Sequence, residues 1–110
     1  MNIPEISAQD LAEMLMSHND FILLDVREPW EVAQATWDDA RLRFAPMSQL
    51  AQQGIAPLKK EVPVVVVCHH GIRSYQVTNW LLSLGWKDVV SLRGGIEAYA
   101  LEVDVSVGRY

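Results

Sequence analysis

The chain has 110 residues, half of them apolar and 21% charged, and nine basic against fourteen acidic side chains give a net charge of −5. This is the composition of an ordinary globular domain, and it argues against disordered, fibrous and strongly cationic nucleic-acid-binding classes. A chain of this length buries roughly 65% of its unfolded surface, enough for one core without disulfides or a structural metal, so a single domain over residues 1–110 is expected.

From the N-terminus, Met1-Asn2-Ile3-Pro4-Glu5 has neither the basic start nor the long apolar stretch of a secretory leader. The longest apolar run, near Val62 to Cys68, is too short to span a bilayer, so a cytoplasmic protein without membrane contact is expected. Ser7-Ala8-Gln9-Asp10 has capping-box spacing, and Leu11, Met14 and Leu15 follow at helical spacing, which predicts a helix over Ser7 to Ser17. His18, just beyond it, reads as a surface residue. Phe21-Ile22-Leu23-Leu24-Asp25-Val26 is a continuous apolar run ending in charge, the pattern of a strand buried on both faces with Asp25 at its carboxyl end.

A short helix is expected over Trp30 to Ala35, a strand near Arg41 to Ala45, and a helix over Met47 to Gln53. Gly54, Pro57 and the Lys59-Lys60-Glu61 cluster mark a turn. The β-branched run from Val62 to Cys68 predicts the central strand. Val77, Trp80, Leu81 and Leu84 then recur at i, i+3, i+4 and i+7 in a helix starting at Arg73 or Ser74 and stopped by Gly85. Asp88 to Leu92 is a further strand, Arg93-Gly94-Gly95 a tight loop and Ile96 to Leu101 a last helix, before a tail ending at Tyr110. Trp80 is assigned to the core, and Trp30, Trp37 and Trp86 to partly buried amphipathic anchors.

Strands alternating with helices imply a parallel sheet with helices on both faces, and such folds bind ligands at the carboxyl ends of strands. Asp25, Cys68 and Arg93 lie at or just beyond such ends, so three segments are expected to converge on one pocket.

Cys68 is the only cysteine, which rules out an intrachain disulfide and any zinc site needing two thiolates from this chain. Residue type alone fits an inert core thiol equally well, because free cysteine is among the most buried residues. Its placement at the junction of strand, glycine-containing loop and helix start favours a reactive thiolate. A loop curled around the sulfur would aim backbone N–H groups and the helix dipole at it. Gly71 supplies positive φ where the loop tightens, and Arg73 offers a planar fork of donors for a bound oxyanion. His69 and His70 are expected to add positive character to the pocket mouth or to shuttle a proton rather than to hold a metal, since adjacent residues rarely point at one ion.

Leu24-Asp25-Val26-Arg27-Glu28-Pro29-Trp30-Glu31, Cys68-His69-His70-Gly71-Ile72-Arg73-Ser74 and Leu92-Arg93-Gly94-Gly95-Ile96 together resemble a rhodanese homology domain. The resemblance spans almost the whole chain. It implies a five-stranded parallel sheet flanked by helices on both faces, and a catalytic cysteine that takes sulfane sulfur from a donor and hands it to a nucleophilic acceptor. Cys68 falls on the catalytic position, and His69, His70, Gly71, Ile72, Arg73 and Ser74 on the active-site loop. Six residues run from Cys68 to Arg73 inclusive, as in the sulfurtransferases that the chain resembles. The related cell-cycle phosphatases and arsenate reductases have one more. Ala35-Thr36-Trp37-Asp38-Asp39-Ala40 departs from the family's usual Gly-His-Ile-Pro-Gly-Ala-like segment.

The expected reaction is therefore persulfide relay through Cys68 without a cofactor or metal. A small donor such as thiosulfate would supply the sulfur, and a thiol, cyanide or a protein would accept it. Asp25 is expected to buttress the loop or an arginine, and Arg27 and Arg93 to form structural ion pairs of small consequence. The rival readings are a cysteine-dependent phosphatase or arsenate reductase, and a non-enzymatic sulfur-delivery module.

Overall fold

The computed structural model describes residues 3–53 and 60–110. In chain order these form β1 (Glu5–Ile6), α1 (Ala8–Met16), β2 (Ile22–Asp25), α2 (Pro29–Val32), β3 (Leu42–Phe44), α3 (Met47–Gln53), β4 (Val64–Val67), α4 (Ile72–Ser83), β5 (Val89–Leu92), α5 (Gly95–Glu102) and a closing 3-10 turn (Val105–Val107). Of the turn expected before β4, Gly54, Pro57 and Lys59 lie outside the described residues.

Local chemistry sets several of these boundaries. Ser7 Oγ accepts the Asp10 N–H at 3.1 Å while the Asp10 carboxylate accepts the Ser7 N–H at 3.4 Å, so the capping box starts α1. At the other end of α1, Arg41 donates to the carbonyls of Met14, Leu15 and Ser17 and so helps satisfy the acceptors at the helix terminus. The helix expected over Trp30 to Ala35 is only Pro29–Val32, because the backbone leaves it early enough for the Ala35 carbonyl to accept from Arg27 and for the Thr36 N–H to reach Val107. β1 was not expected. Two residues with no pattern of their own become a strand by pairing with β5, where Ser91 donates to Pro4 and Arg93 to Ile6, each at 2.9 Å.

All pairings are parallel, in the order β1-β5-β4-β2-β3. β4 is central, and its four valines are each at most 1% exposed. Strand alternation splits them between two cores. Val65 and Val67 pack with Leu23, Leu92, Leu11 of α1 and Ile96 and Tyr99 of α5. Val64 and Val66 pack with Leu24, Val89, Leu50 of α3 and Val77 and Leu81 of α4. Burying each such side chain stabilises by roughly 1.5–3 kcal/mol.

Five assignments change. Trp37 and Trp86 are buried core residues, Trp37 standing edge-on to Tyr99 at 5.4 Å, while Trp80 is only half-buried. Leu84 is 45% exposed, because α4 ends before it completes the apolar stripe. Trp30 is 65% exposed beside the carboxyl ends of the strands. His18 is exposed. No helix among the described residues is long and apolar enough to cross a membrane.

With β4 between β2 and β5, the loops after all three strands meet at one edge of the sheet. That juxtaposition builds the site.

Candidate functional site

Cys68 follows the last residue of β4, and the next residues turn sharply into α4. Gly71 makes the turn at φ +98°, and a Cβ there would lie 2.9 Å from the Gly94 nitrogen and 3.3 Å from the Leu92 carbonyl oxygen. Both its conformation and its surroundings therefore demand glycine. The turn points the Gly71 N–H at Cys68 Sγ (3.1 Å) and brings the Ser74 N–H, in the first turn of α4, to 3.3 Å from the same atom. The Ser74 hydroxyl lies 3.4 Å from Sγ. Cys68 is only 1% exposed and packs beside Leu24, Val26 and Val77. It is thus buried as an inert thiol would be, yet met by amide donors as an inert thiol would not be.

The outer side of the loop is held by α5. Ile96 donates to the Cys68 carbonyl at 2.9 Å and Glu97 to the His69 carbonyl at 3.1 Å. In a trans peptide the C=O and the following N–H point in opposite directions. Tying these two carbonyls to α5 therefore turns the His69 and His70 N–H groups to the loop's other side. The Gly94-Gly95 turn allows this approach, because the Gly95 backbone lies so close to the loop that a Cβ would fall 2.3 Å from the His69 oxygen.

Arg73 does not reach toward an open site as the sequence suggests. Its Nη1 and Nη2 each donate at 2.7 Å to the two oxygens of Glu31 on α2, a planar fork matched to a carboxylate. Glu31 also accepts the Glu28 N–H at 3.0 Å and the Tyr110 hydroxyl at 3.0 Å, so all its strong acceptor directions are used. Arg27 also differs from expectation. It is fully buried rather than a weak surface pair, and its guanidinium donates to Asp25 Oδ2 at 2.7 Å, to the Ala35 carbonyl at 2.8 Å and to Tyr110 Oη at 3.2 Å. Burial alone would lower the Arg27 pKa, and the Asp25 carboxylate more than offsets it. Asp25 is likewise 0% exposed. It buttresses Arg27, and through Tyr110 the two ion pairs share one network. Arg93 lies 3.8 Å from Glu5 and is 65% exposed, at the rim of a depression of about 550 Å³ that also exposes His70 and Ile72.

Tyr110 stacks on His69 with centroids 3.8 Å apart, and His69 stacks on His70, also at 3.8 Å. Burial and, next, the His70 charge push His69 below the usual imidazole range. The charged form of His69 is therefore disfavoured where the ring stands.

A family model described as the rhodanese-like domain matches residues 7–102. The chain belongs to this family. A sulfurtransferase of Allochromatium vinosum is 38% identical over 98 residues, 89% of each chain. A thiosulfate sulfurtransferase GlpE of Tolumonas auensis is 36% identical over 86% of this chain and 85% of its own. A rhodanese-related protein of Thermoplasma volcanium superposes with a TM-score of 0.78 at 31% identity, covering 91% of this chain and 93% of its own. The five-stranded parallel sheet is the rhodanese-like fold.

In this rhodanese-like domain the sequence reading missed Glu31, Tyr110 and the anchoring role of Gly95. Glu31 had a local signal, since it stands three residues after Glu28 at capping-box spacing. Tyr110 had none, its partners being 79 and 83 residues away. The Arg73 fork first, and then the Glu28 amide and Tyr110 hydroxyl, hold Glu31 at about 2 against burial, which would raise it. A depressed carboxylate contributes stability that is fully present above its unfolded value near 4.5 and is lost as pH falls through about 2. At ~1.4 kcal/mol per pH unit this amounts to about 3 kcal/mol. Urea unfolding in a pH series is expected to show that loss in the native chain and a correspondingly flatter acid limb in Glu31→Gln.

Proposed function

We propose that this rhodanese-like domain moves sulfane sulfur from a donor such as thiosulfate to a nucleophilic acceptor through a persulfide on Cys68. The observation that carries the reading is the pair of backbone N–H donors, from Gly71 and Ser74, aimed at the Cys68 sulfur at the end of the central strand. Fixed dipoles of this kind favour a thiolate and a persulfide anion without reorganising during reaction. The six-residue span from Cys68 to Arg73, and similarity to a protein named thiosulfate sulfurtransferase, favour sulfur over phosphate chemistry.

In the first step the Cys68 thiolate attacks the outer sulfur of thiosulfate. A new S–S bond forms, the donor's S–S bond breaks, and sulfite leaves with the bonding pair. In the second step a thiolate, cyanide or a partner protein's cysteine attacks the outer persulfide sulfur, and the Cys68 thiolate is released. Because Cys68 is buried, a donor must present its terminal sulfur end-on over the loop. Arg73, already paired with Glu31, shapes the wall of this cradle, while the inward amides meet the developing charge.

Mass spectrometry after thiosulfate treatment is expected to show one added sulfur on the native protein and none on Cys68→Ser. Thiocyanate formation with cyanide is expected to fall at least about 1,000-fold in that variant. Native protein that takes up no sulfur, or hydrolysis of an aryl phosphate dependent on Cys68, would overturn the assignment.

A further inference from the structure

We propose that Ser91 is a positioning residue for the Cys68 thiolate, acting through the Ser74 hydroxyl; this rests on Cys68 being the nucleophile of the proposed reaction. Ser91 is a polar residue in the strand sequence Val89-Val90-Ser91-Leu92, and it is fully buried. By strand alternation it shares with Val89 the face packed on α4. Among the described residues its one side-chain hydrogen bond is to Ser74 Oγ, at 2.8 Å. Ser74, also fully buried, stands 3.4 Å from Cys68 Sγ and 3.2 Å from the Gly71 carbonyl oxygen.

A serine hydroxyl has one proton and two lone pairs. While Cys68 is a thiol, its S–H points to Ser74 Oγ and the Ser74 proton goes to the Gly71 carbonyl. Once the thiol proton has left to solvent, the sulfur only accepts, and the Ser74 O–H rotates from that carbonyl to the sulfur. No covalent bond changes. The Gly71 carbonyl is not orphaned, because it keeps the Tyr75 N–H at 3.2 Å. The thiolate then has three donors, the amides of Gly71 and Ser74 and the Ser74 hydroxyl.

Ser91 keeps the third donor available. If Ser74 gave its proton to Ser91, the Ser91 proton would find no other acceptor within hydrogen-bond distance among the described residues. With Ser91 donating, both hydroxyls are satisfied, and the bond into Ser74 polarises the one that Ser74 makes to sulfur. Charged and titratable groups around the sulfur come from His69 and His70 in the loop, Arg73 of α4, Glu31 of α2, Glu97 of α5, the Asp25–Arg27 pair at the carboxyl end of β2, and Tyr110. Ser91→Ala alters none of them, so a changed titration reports the hydroxyl relay.

The test is the rate of Cys68 alkylation by iodoacetamide across pH, on the full chain. Ser91→Ala is expected to move the midpoint of the profile up by about half a pH unit, slowing alkylation at neutral pH about threefold and leaving the high-pH plateau unchanged. In a Ser74→Ala background the same substitution is expected to have no further effect, because the relay is already cut. A Ser91→Ala profile that superimposes on the native one, a loss equal at every pH, or a shift undiminished in the Ser74→Ala background would each overturn the proposal. Alkylation needs no sulfur donor, so this outcome is independent of whether thiosulfate loads sulfur onto the native protein.

Discussion

Replacing Asp25 by alanine is expected to cost about 3–5 kcal/mol of folding stability, a loss comparable to the whole stability of many small domains. The cause is the uncompensated charge left behind. Arg27 is fully buried, and without the carboxylate its guanidinium keeps only neutral acceptors, chiefly the Ala35 carbonyl and the Tyr110 hydroxyl. The double variant Asp25→Leu with Arg27→Met removes both charges and is expected to recover most of the loss, because an apolar pair of similar bulk carries no desolvation penalty. Urea unfolding of the single and double variants measures this directly. A single variant as stable as the native chain would show that the buried pair contributes no net stability. The double variant also tests the link to the site, since Tyr110 loses its Arg27 donor while keeping Glu31.

The second large effect is expected at Gly95. An added methyl would meet the His69 carbonyl oxygen at 2.3 Å, its carbon at 2.5 Å and the Cys68 oxygen at 2.6 Å, all backbone atoms that cannot swing aside, at a φ of +64°. Gly95→Ala must therefore push α5 away from the loop, lengthening the bonds from Ile96 and Glu97 that fix its two carbonyls. Sulfur transfer is expected to fall about 100-fold or more, because a small misplacement of fixed dipoles removes most of their value. Stability is expected to fall by about 2 kcal/mol. Gly85→Ala supplies the reference. Its φ is +95°, but the nearest atom to an added Cβ is the flexible Lys60 Nζ at 3.8 Å, so only backbone strain of about 1 kcal/mol should appear and turnover should be unchanged. Steady-state rates and thermal unfolding of the two variants separate loop anchoring from glycine strain. Equal loss of turnover in both would refute the anchoring role.

Much of the scaffold was legible because its signals are local. The Val64–Val67 run, the 3.6-residue spacing of Val77, Trp80 and Leu81, and the Ser7–Asp10 capping box act within one strand or one helical turn. β1 was illegible because its two residues have no pattern until β5 offers its edge, and the 3-10 turn at Val105–Val107 depends on packing against Ala35 and α5. At the site, the glycine turn and the order of the motifs placed Cys68, but the partners of the long charged side chains were read less well. Arg73 was expected to face an anion and instead grips Glu31, and Arg27 was taken for a minor pair although it is sealed inside.

Residue order by itself determined the alternation of strands and helices, the central place of the valine strand, and a thiol standing where a strand gives way to a helix. Folding decided which donors meet which acceptors: Glu31 with Arg73 across 42 residues, Tyr110 with Arg27 across 83, and Ser91 with Ser74 across 17. Backbone periodicity is set by sterics between near neighbours. A long polar side chain instead takes whatever partner the crossovers bring within about 3 Å in a region without water.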